Sequence, residues 1–310
     1  MVANRPILVI FLDGVGIGEA DPDKNPFLRA ELPTLRGLFD GRVPTLGDGR
    51  LQGERALAIP VDASLGVAGV PQSATGQATL ITGVNAARHL GYHDGPYPSP
   101  QLRQFIARES LIQKYVRAGA RVYFANAYPE IYFARMARGT ARQGALAWAF
   151  RSADIPLHNV EDLRAGRALT AHITNEVWRQ YLGYRDLPRL TPRDAGRRLG
   201  RIGLENDFTL YEYYHTDVVG HKAHRERTLA ALAEVDTFLG GVLEAFDLER
   251  GLLLVASDHG NVEDWTVKGH TLNPALLLVI GHDRENFAGG VQRLDDIAPA
   301  ILRWMGIASQ

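Results

Sequence analysis

The sequence contains no cysteine, and this absence excludes several kinds of chemistry. Without thiols the chain can form no disulfide framework, no thiolate nucleophile, no cysteine-ligated zinc site and no iron–sulfur cluster. Any metal ion that the chain binds must therefore be held by carboxylate, imidazole or hydroxyl groups.

The sequence also lacks a large excess of charge of either sign, and it lacks a long apolar run. The formal net charge is −1, which gives no electrostatic footprint for nucleic acid or for an anionic membrane. The first apolar run, "ILVIFL" at 7–12, is too short for a membrane span, and Asp13 follows it directly, unlike a signal peptide. We therefore expect a cytoplasmic protein, although the lack of cysteine gives no redox argument against export. The sequence does not indicate an oligomeric state.

Short apolar runs alternate with helical stretches along the chain. With 310 residues, 45% of them hydrophobic, the protein can bury the core of one large α/β domain, with or without a small insertion. Nearly continuous apolar runs are typical of strands that are covered on both faces. We predict an α/β fold with a mostly parallel central sheet flanked by helices on both faces. The predicted strands lie at 6–13, 120–127, 208–214, 251–258 and 275–281.

Two regions fit this alternation poorly. Residues 41–72 are rich in glycine, proline and turn formers, and we interpret them as an extended excursion toward the site. Residues 131–189 are expected to form a small cap or insertion. The core would then comprise residues 1–130 and 190–310.

Polar residues cluster just after the apolar runs, where ligands gather in parallel sheets. Asp13 ends the first run, "HTDVVGH" follows the third, "SDHGN" at 257–261 follows the fourth, and "GHTLNP" precedes the fifth. Such residues can simply terminate a strand. However, Asp258 and His259 place two costly polar groups where a buried strand ends, and a bound cation explains this better.

The polar side chains at these positions suit divalent metals. Asp217 and His221 are four residues apart, so a helix would place both on one face, and His270 adds a third imidazole. A dinucleotide loop is a poor alternative, because "GVGIG" lacks the G-x-G-x-x-G spacing and opens no helix. Enough ligands are present for two divalent ions, either Mn²⁺ or Zn²⁺: Asp13, Asp217, His221, Asp258, His259 and His270.

Ser73 is the candidate nucleophile. It stands in "GVPQSATGQATLITG" at 69–83, at the predicted start of a helix. An ordinary helix cap is the competing interpretation, and the two are compatible because a helix N-terminus stabilises both an alkoxide and a bound phosphate. Two cations can clamp the oxygens of a phosphoryl group during displacement, so we expect a small-molecule phosphate ester as substrate. Thr75 is a rival nucleophile.

The motifs "LDGVG", "SATGQATLITG", "DVVGH", "SDHGN" and "GHTLNP", in this order, resemble the alkaline phosphatase superfamily. The resemblance is strongest to the branch of cofactor-independent phosphoglycerate mutases and phosphopentomutases. It implies that Ser73 attacks phosphorus to give a phosphoseryl intermediate, while the second metal stabilises the leaving oxygen and then activates the acceptor. It also implies one metal on Asp13, Ser73, Asp258 and His259, and the other on Asp217, His221 and His270.

Departures from the family favour hydrolysis over mutase chemistry. Gln77 stands where the mutases carry His, which removes an acid–base group, and a short cap seals an intermediate from water less well. We therefore favour a phosphohydrolase, with a phosphomutase as the alternative. A phosphodiesterase of the nucleotide pyrophosphatase type stays open, because "TLITGVNAARHLGYH" resembles that group loosely. A non-catalytic, metal-stabilised binding protein is disfavoured because the complete ligand set and the nucleophile are present.

Substrate contacts are expected from residues that lie near the motifs in the sequence. Cationic side chains there could neutralise a phosphate or a carboxylate, although ordinary surface charges are an equally good interpretation. The candidates are Thr75, Arg88, His93, Lys222, Asn261 and Lys268.

Overall fold

A computed structural model of the protein describes residues 5–222 and 224–307. Within these residues, seven strands form one sheet. The strands are β1 (Ile7–Leu12), β2 (Leu51–Gln52), β3 (Ala56–Val61), β4 (Val122–Phe124), β5 (Phe208–Tyr213), β6 (Leu252–Ala256) and β7 (Ala275–Ile280). Their spatial order is β2-β3-β7-β6-β1-β5-β4.

Fourteen α-helices lie in the same described residues, and three single turns of 3₁₀ helix at Pro26–Leu28, Leu46–Asp48 and Leu294–Asp296 accompany them. The helices are α1 (Pro33–Leu38), α2 (Ser73–Thr82), α3 (Ala86–Leu90), α4 (Pro100–Glu109), α5 (Leu111–Arg117), α6 (Glu130–Ala137), α7 (Ala145–Arg151), α8 (Val160–Arg164), α9 (Glu176–Tyr181), α10 (Pro192–Glu205), α11 (His215–Lys222), α12 (Arg225–Ala245), α13 (Arg284–Ala288) and α14 (Ile297–Trp304).

The predicted α/β fold class is confirmed, and the sheet is mixed. β1 lies in the middle and pairs in parallel with β5 and β6, and β4 pairs in parallel with β5. On the other side, β7, β3 and β2 pair antiparallel with their neighbours. Each strand predicted from an apolar run is present, and β1 is buried along its whole length, as expected for a strand covered on both faces.

β2 and β3 lie in the region interpreted from the sequence as an extended excursion. The β3 segment, "ALAIPV", is rich in alanine and contains Pro60, which are weak strand signals. Pairing with the apolar β7 decides its conformation. β3 is therefore a strand because of the strand it pairs with, and its own sequence only weakly predicts this conformation.

Alternating residues of the central strands build one apolar layer on each face of the sheet. Val9 and Phe11 pack in the layer that contains α2, α4 and α14. Leu8 and Ile10 pack in the opposite layer with α10 and α12. α10 and α12 approach each other at glycines: a Cβ on Gly241 would lie 2.0 Å from the Arg193 carbonyl oxygen. Both faces of the central strand β1, which ends just before Asp13, are thus packed.

The segment predicted as a cap contains parts of two different packing environments. Phe150 of α7 belongs to the large apolar layer beside α2. Leu163, Trp178 and Leu187 form a small separate cluster. The division into a core and a cap at 131–189 stays a prediction. Among the described residues, no helix combines the length and apolarity needed to cross a bilayer.

Candidate metal centre

Asp13, Asp258 and His259 meet at the ends of β1 and β6. The two strands are parallel neighbours, so their carboxyl ends reach the same edge of the sheet. His259 Nε2 lies 3.3 Å from Asp13 Oδ1 and 3.6 Å from Asp258 Oδ2. Gly14 adopts a positive φ of 66° and donates its N–H to Asp258 Oδ1 at 3.2 Å. All three ligand candidates are buried, which makes this end of the sheet a closed acidic pocket.

Asp217, His221 and His270 form a second group beside the first. Asp217 Oδ2 lies 3.2 Å from Nε2 of His221, one turn later in α11. His270 Nε2 lies 3.4 Å from Asp217 Oδ1 and 3.1 Å from His221 Nε2. His270 precedes β7, which runs antiparallel to β6. This orientation brings the start of β7 to the edge at which β6 ends, and a parallel β7 would have placed His270 at the opposite edge.

The two groups touch through His259 and His270, whose rings stack with centroids 3.8 Å apart. One ligand atom each from Asp217, His259 and His270 lie within 4.8 Å of one another, as do ligand atoms from Asp13, Asp258 and His259. His259 therefore stands between the groups. The structure brings every predicted Asp and His into one cluster, and their division between two metals stays a prediction.

Ser73 opens α2 and points its hydroxyl at this cluster. Its Oγ lies 3.1 Å from His259 Nε2 and 3.4 Å from Asp13 Oδ1. A Cβ on Gly76, one turn later, would lie 2.8 Å from the Asp258 Cβ. Only glycine at this position lets the first turn of α2 approach the loop after β6 so closely. The predicted nucleophile thus lies at a helix N-terminus, against the candidate ligands.

The electrostatics of the pocket fit a bound cation. Burial raises the pKa of Asp258 well above its ordinary value, and the nearby Asp13 carboxylate raises it further. Burial disfavours a charge on His259, but the Asp258 and Asp13 carboxylates outweigh it and raise the His259 pKa to about 10. Asp258 Oδ2 is buried and accepts no hydrogen bond from any described residue. Leaving such an oxygen unpaired costs about 1–3 kcal/mol or more, and a divalent ion would compensate it, so the side chains present fit a metal.

Glu263 connects the loops that carry the candidate ligands, and sequence reasoning missed it. Its side chain is fully buried. Its Oε2 accepts the N–H groups of Gly16 at 2.9 Å and Asn261 at 2.7 Å. Its Oε1 accepts hydrogen bonds from Thr271 Oγ1 and, at 3.0 Å, from Asn273 Nδ2. Glu263 therefore fixes the loops after β1, after β6 and before β7 relative to one another.

A cavity of 390 Å³ opens at Ser73. Asp13, Asp217 and Gln77 line the side of the candidate ligands. Gln77 donates its amide Nε2 to Asp13 Oδ2 at 3.3 Å. Burial, and secondarily Asp13, raise the pKa of Glu212 in this cavity to about 8. The remaining polar and aromatic lining consists of Tyr97, Tyr128, Tyr132, Arg142, Glu212 and Tyr214.

The predicted substrate-contacting residues do not line this cavity. Thr75 Oγ1 instead contacts the carbonyl oxygen of Gln72, just before α2, and that of Asp94, in the loop after α3. Asn261 Nδ2 donates to Asp217 Oδ1 at 2.6 Å, which orients a candidate ligand. The rest lie elsewhere at the surface, with Arg88, Lys222 and Lys268 exposed and His93 half-buried. Neighbouring side chains on a helix or loop point in different directions, and a role of these residues in substrate binding stays a prediction.

Comparisons with known proteins agree with this arrangement. Residues 199–309 match the sequence model of the metalloenzyme superfamily. A 2,3-bisphosphoglycerate-independent phosphoglycerate mutase from Dinoroseobacter shibae is 39% identical over 107 residues, which cover 32% of this chain and 21% of that protein. The same enzyme from Desulforudis audaxviator is 37% identical over 131 residues, 38% of this chain and 25% of that protein. The matched segments thus span a quarter or less of these relatives.

Solved structures show the same fold over nearly the whole chain. The PH0037 protein from Pyrococcus horikoshii has a TM-score of 0.58 at 14% identity, covering 100% of this chain and 99% of that one. Alkaline phosphatase from the Antarctic bacterium TAB5 has a TM-score of 0.56 at 13% identity, covering 99% of both chains. The protein therefore has an alkaline phosphatase-like fold.

Proposed function

We propose that the protein is a metal-dependent phosphoryl-transfer enzyme that hydrolyses small organic phosphate esters through a phosphoseryl intermediate on Ser73. One observation carries the proposal. The Ser73 hydroxyl, at the N-terminus of α2, faces both a buried cluster of carboxylates and imidazoles and a cavity large enough for a substrate. Such a hydroxyl is placed for nucleophilic attack on a phosphate that is held at the helix N-terminus.

The proposed metal ligands follow the two groups of side chains. Asp13, Ser73, Asp258 and His259 would hold one divalent ion, and Asp217, His221 and His270 a second, with Mn²⁺ and Zn²⁺ both compatible with these donors. When bound, such ions supply positive charge to the phosphoryl oxygens and favour ionisation of a bound hydroxyl.

The chain's own residues carry the covalent steps. Ser73 Oγ loses its proton and bonds to phosphorus while the bond from phosphorus to the ester oxygen breaks, and the alcohol leaves with a proton. A water molecule then attacks the phosphoserine phosphorus, the Ser73 Oγ–phosphorus bond breaks, and inorganic phosphate leaves as Ser73 regains its proton. The first turn of α2 directs its N–H groups and its dipole toward the negative phosphoryl group in both steps.

Gln77 supports hydrolysis in preference to transfer back to the substrate. Its amide is engaged with Asp13, and an amide neither gives nor accepts a proton as an acid–base catalyst does. The mutase alternative is supported by the similarity of part of the chain to 2,3-bisphosphoglycerate-independent phosphoglycerate mutases. The two proposals differ in whether water or a second hydroxyl of the substrate accepts the phosphoryl group.

The test uses the purified protein, depleted of metal and then loaded with Mn²⁺ or Zn²⁺. Phosphate release from p-nitrophenyl phosphate and cleavage of bis-p-nitrophenyl phosphate are compared for the wild type, Ser73→Ala and the control Ser64→Ala, which alters a serine outside the cluster. We expect monoester hydrolysis in the wild type and the control only, and the added mass of one phosphoryl group on Ser73 after acid quenching.

The other outcomes separate the alternatives. Preferential cleavage of the diester favours the phosphodiesterase. Isomerisation of phosphoglycerate or a pentose phosphate without phosphate release favours the phosphomutase. If the metal-loaded wild type acts on none of these compounds, the enzyme proposal fails and a metal-stabilised binding protein is left.

A further inference from the structure

The cavity wall across from Ser73 is made largely of tyrosine. Tyr128 and Tyr132 stack on each other with ring centroids 4.3 Å apart and an interplanar angle of 29°. Tyr97 and Tyr214 complete the aromatic lining. These four residues come from the segment before α4, from the start of α6 and from the end of β5, so separate parts of the chain converge on one aromatic surface. We call this surface the tyrosine wall.

The tyrosine wall has polar atoms but little charge to offer a substrate. The hydroxyl of Tyr132 is buried and has no hydrogen-bond partner among the described residues. Away from the candidate metal ligands, the charged lining consists of Arg142 and Glu212, and burial raises the pKa of Glu212 to about 8, so its carboxyl is protonated near neutral pH. Arg142 lies over the ring of Tyr97, with its Cζ 5.7 Å from the centroid. The wall therefore offers one guanidinium group among aromatic rings.

Flat, uncharged groups are the chemistry that such a surface recognises. A tyrosine ring stacks on another planar ring whatever its substituents, because both rings have a π face. The tyrosine hydroxyl can hydrogen-bond to heteroatoms at the edge of the stacked ring. A cavity of 390 Å³ lies in the range that holds a ligand of nucleoside size, about 300–1,000 Å³.

We propose that the alcohol half of the substrate carries a flat, uncharged ring, such as a nucleobase or an aryl group, which stacks on the tyrosine wall while the phosphate lies at Ser73. This inference rests on the proposed phosphoryl-transfer function and names its substrate class. It assigns Tyr132 to substrate recognition, because its ring lines the cavity and stacks on Tyr128.

The test compares two esters that release the same kind of primary alcohol. A nucleoside 5′-monophosphate and methyl β-ribofuranoside 5-phosphate differ only in the base, so differences in leaving-group reactivity are removed. We expect kcat/KM to be higher for the nucleotide by roughly 5- to 150-fold, the range that base–aromatic stacking supplies. p-Nitrophenyl phosphate serves as the reference for phosphoryl transfer itself.

Variants show whether the tyrosine wall is responsible. Tyr132→Leu should lower kcat/KM for the nucleotide far more than for the methyl riboside phosphate and so remove most of the preference. Tyr132→Phe keeps the ring and should keep much of the preference. Tyr181→Leu, which alters a tyrosine that is 77% exposed, is the control for a general effect of losing an aromatic residue.

Failure of the inference and failure of the proposed function give different results. If p-nitrophenyl phosphate is hydrolysed but the nucleotide is no better than the methyl riboside phosphate, the substrate class is wrong and the function stands. The same conclusion follows if Tyr132→Leu lowers kcat/KM equally for both esters. If the metal-loaded wild type hydrolyses none of the three compounds, the proposed function itself fails.

Discussion

The hydroxyl Oγ of Ser73 lies 3.1 Å from Nε2 of His259, a residue 186 positions later in the chain. This contact joins the first turn of α2 to the loop after β6, and it exists because Gly76 lets the helix approach Asp258. A candidate nucleophile and a candidate ligand are thereby fixed to each other through two packed elements.

Changing single ligands should lower the metal content. Asp258→Asn removes a buried charge from the first group, and His221→Ala removes an imidazole from the second. We expect each variant to lose about one bound metal equivalent and most hydrolytic activity, because one variant loses an anionic donor and the other loses a donor entirely. Metal analysis of the dialysed protein measures this, with Asp264→Asn in the same loop as the control. Two full equivalents in both variants would contradict the ligand assignment.

Glu263→Gln should weaken metal binding without removing a ligand. The amide cannot accept hydrogen bonds from both sides as the carboxylate does, so the loops bearing Asp13, His259 and His270 lose their common anchor. We expect a loss in Mn²⁺ affinity of about 10- to 100-fold, as for other changes behind metal ligands. Competition with a chelator measures the affinity, and Glu249→Gln at the surface is the control. An unchanged affinity would show that Glu263 serves folding alone.

The stability of the metal-free protein should depend on pH through Glu212. Burial and Asp13 raise the Glu212 pKa from 4.5 to about 8 in the folded state. The folded protein therefore holds a proton that the unfolded chain releases, and stability should fall as pH rises from about 4.5 to about 8. Glu212→Gln removes this pH-dependent loss of stability. In the presence of a chelator, the melting temperature of the variant relative to that of the wild type should therefore rise between pH 5 and pH 8.5. Glu130→Gln is the matched control, and parallel curves for wild type and Glu212→Gln would refute the assignment.

The contact between α10 and α12 should tolerate no side chain at Gly241. An added Cβ would lie 2.0 Å from the backbone oxygen of Arg193, so the helices must separate. We expect Gly241→Ala to lower the free energy of unfolding by about 1–3 kcal/mol. Gly37→Ala in α1, where nothing lies within 4 Å of the added atom, should instead be neutral or stabilising by up to about 1 kcal/mol. Urea unfolding of both variants and the wild type measures these changes. A Gly241→Ala protein as stable as the wild type would show that the contact between α10 and α12 is loose.

The central features of the fold and the cluster were readable from sequence because they rest on local patterns. An apolar run followed at once by Asp13 or by Asp258 and His259 indicates both a buried strand and a polar strand end. Parallel pairing then brings those ends together. His270 was included for its residue type and its position before an apolar run. The antiparallel direction of β7, which places it at the site, has no local signal.

Other features depend on contacts that no local pattern shows. β3 is held by pairing with β7, although its alanines and Pro60 are poor strand formers. The tyrosine wall forms because α6 and the end of β5 are brought together in space. Glu212 and Glu263 do carry a signal in retrospect: Glu212 is an acid inside an apolar strand, and Glu263 follows "SDHGN" by two residues. A buried acid in such a place needs a compensating partner.

We propose that two divalent metal ions bind at this cluster, with Ser73 among the ligands of one of them. An anomalous difference map from crystals of the Mn²⁺-loaded protein tests it most directly. Two peaks are predicted, one contacting Asp13, Ser73, Asp258 and His259, and the other contacting Asp217, His221 and His270. A single peak, no peak, or peaks that do not contact these side chains would contradict the account.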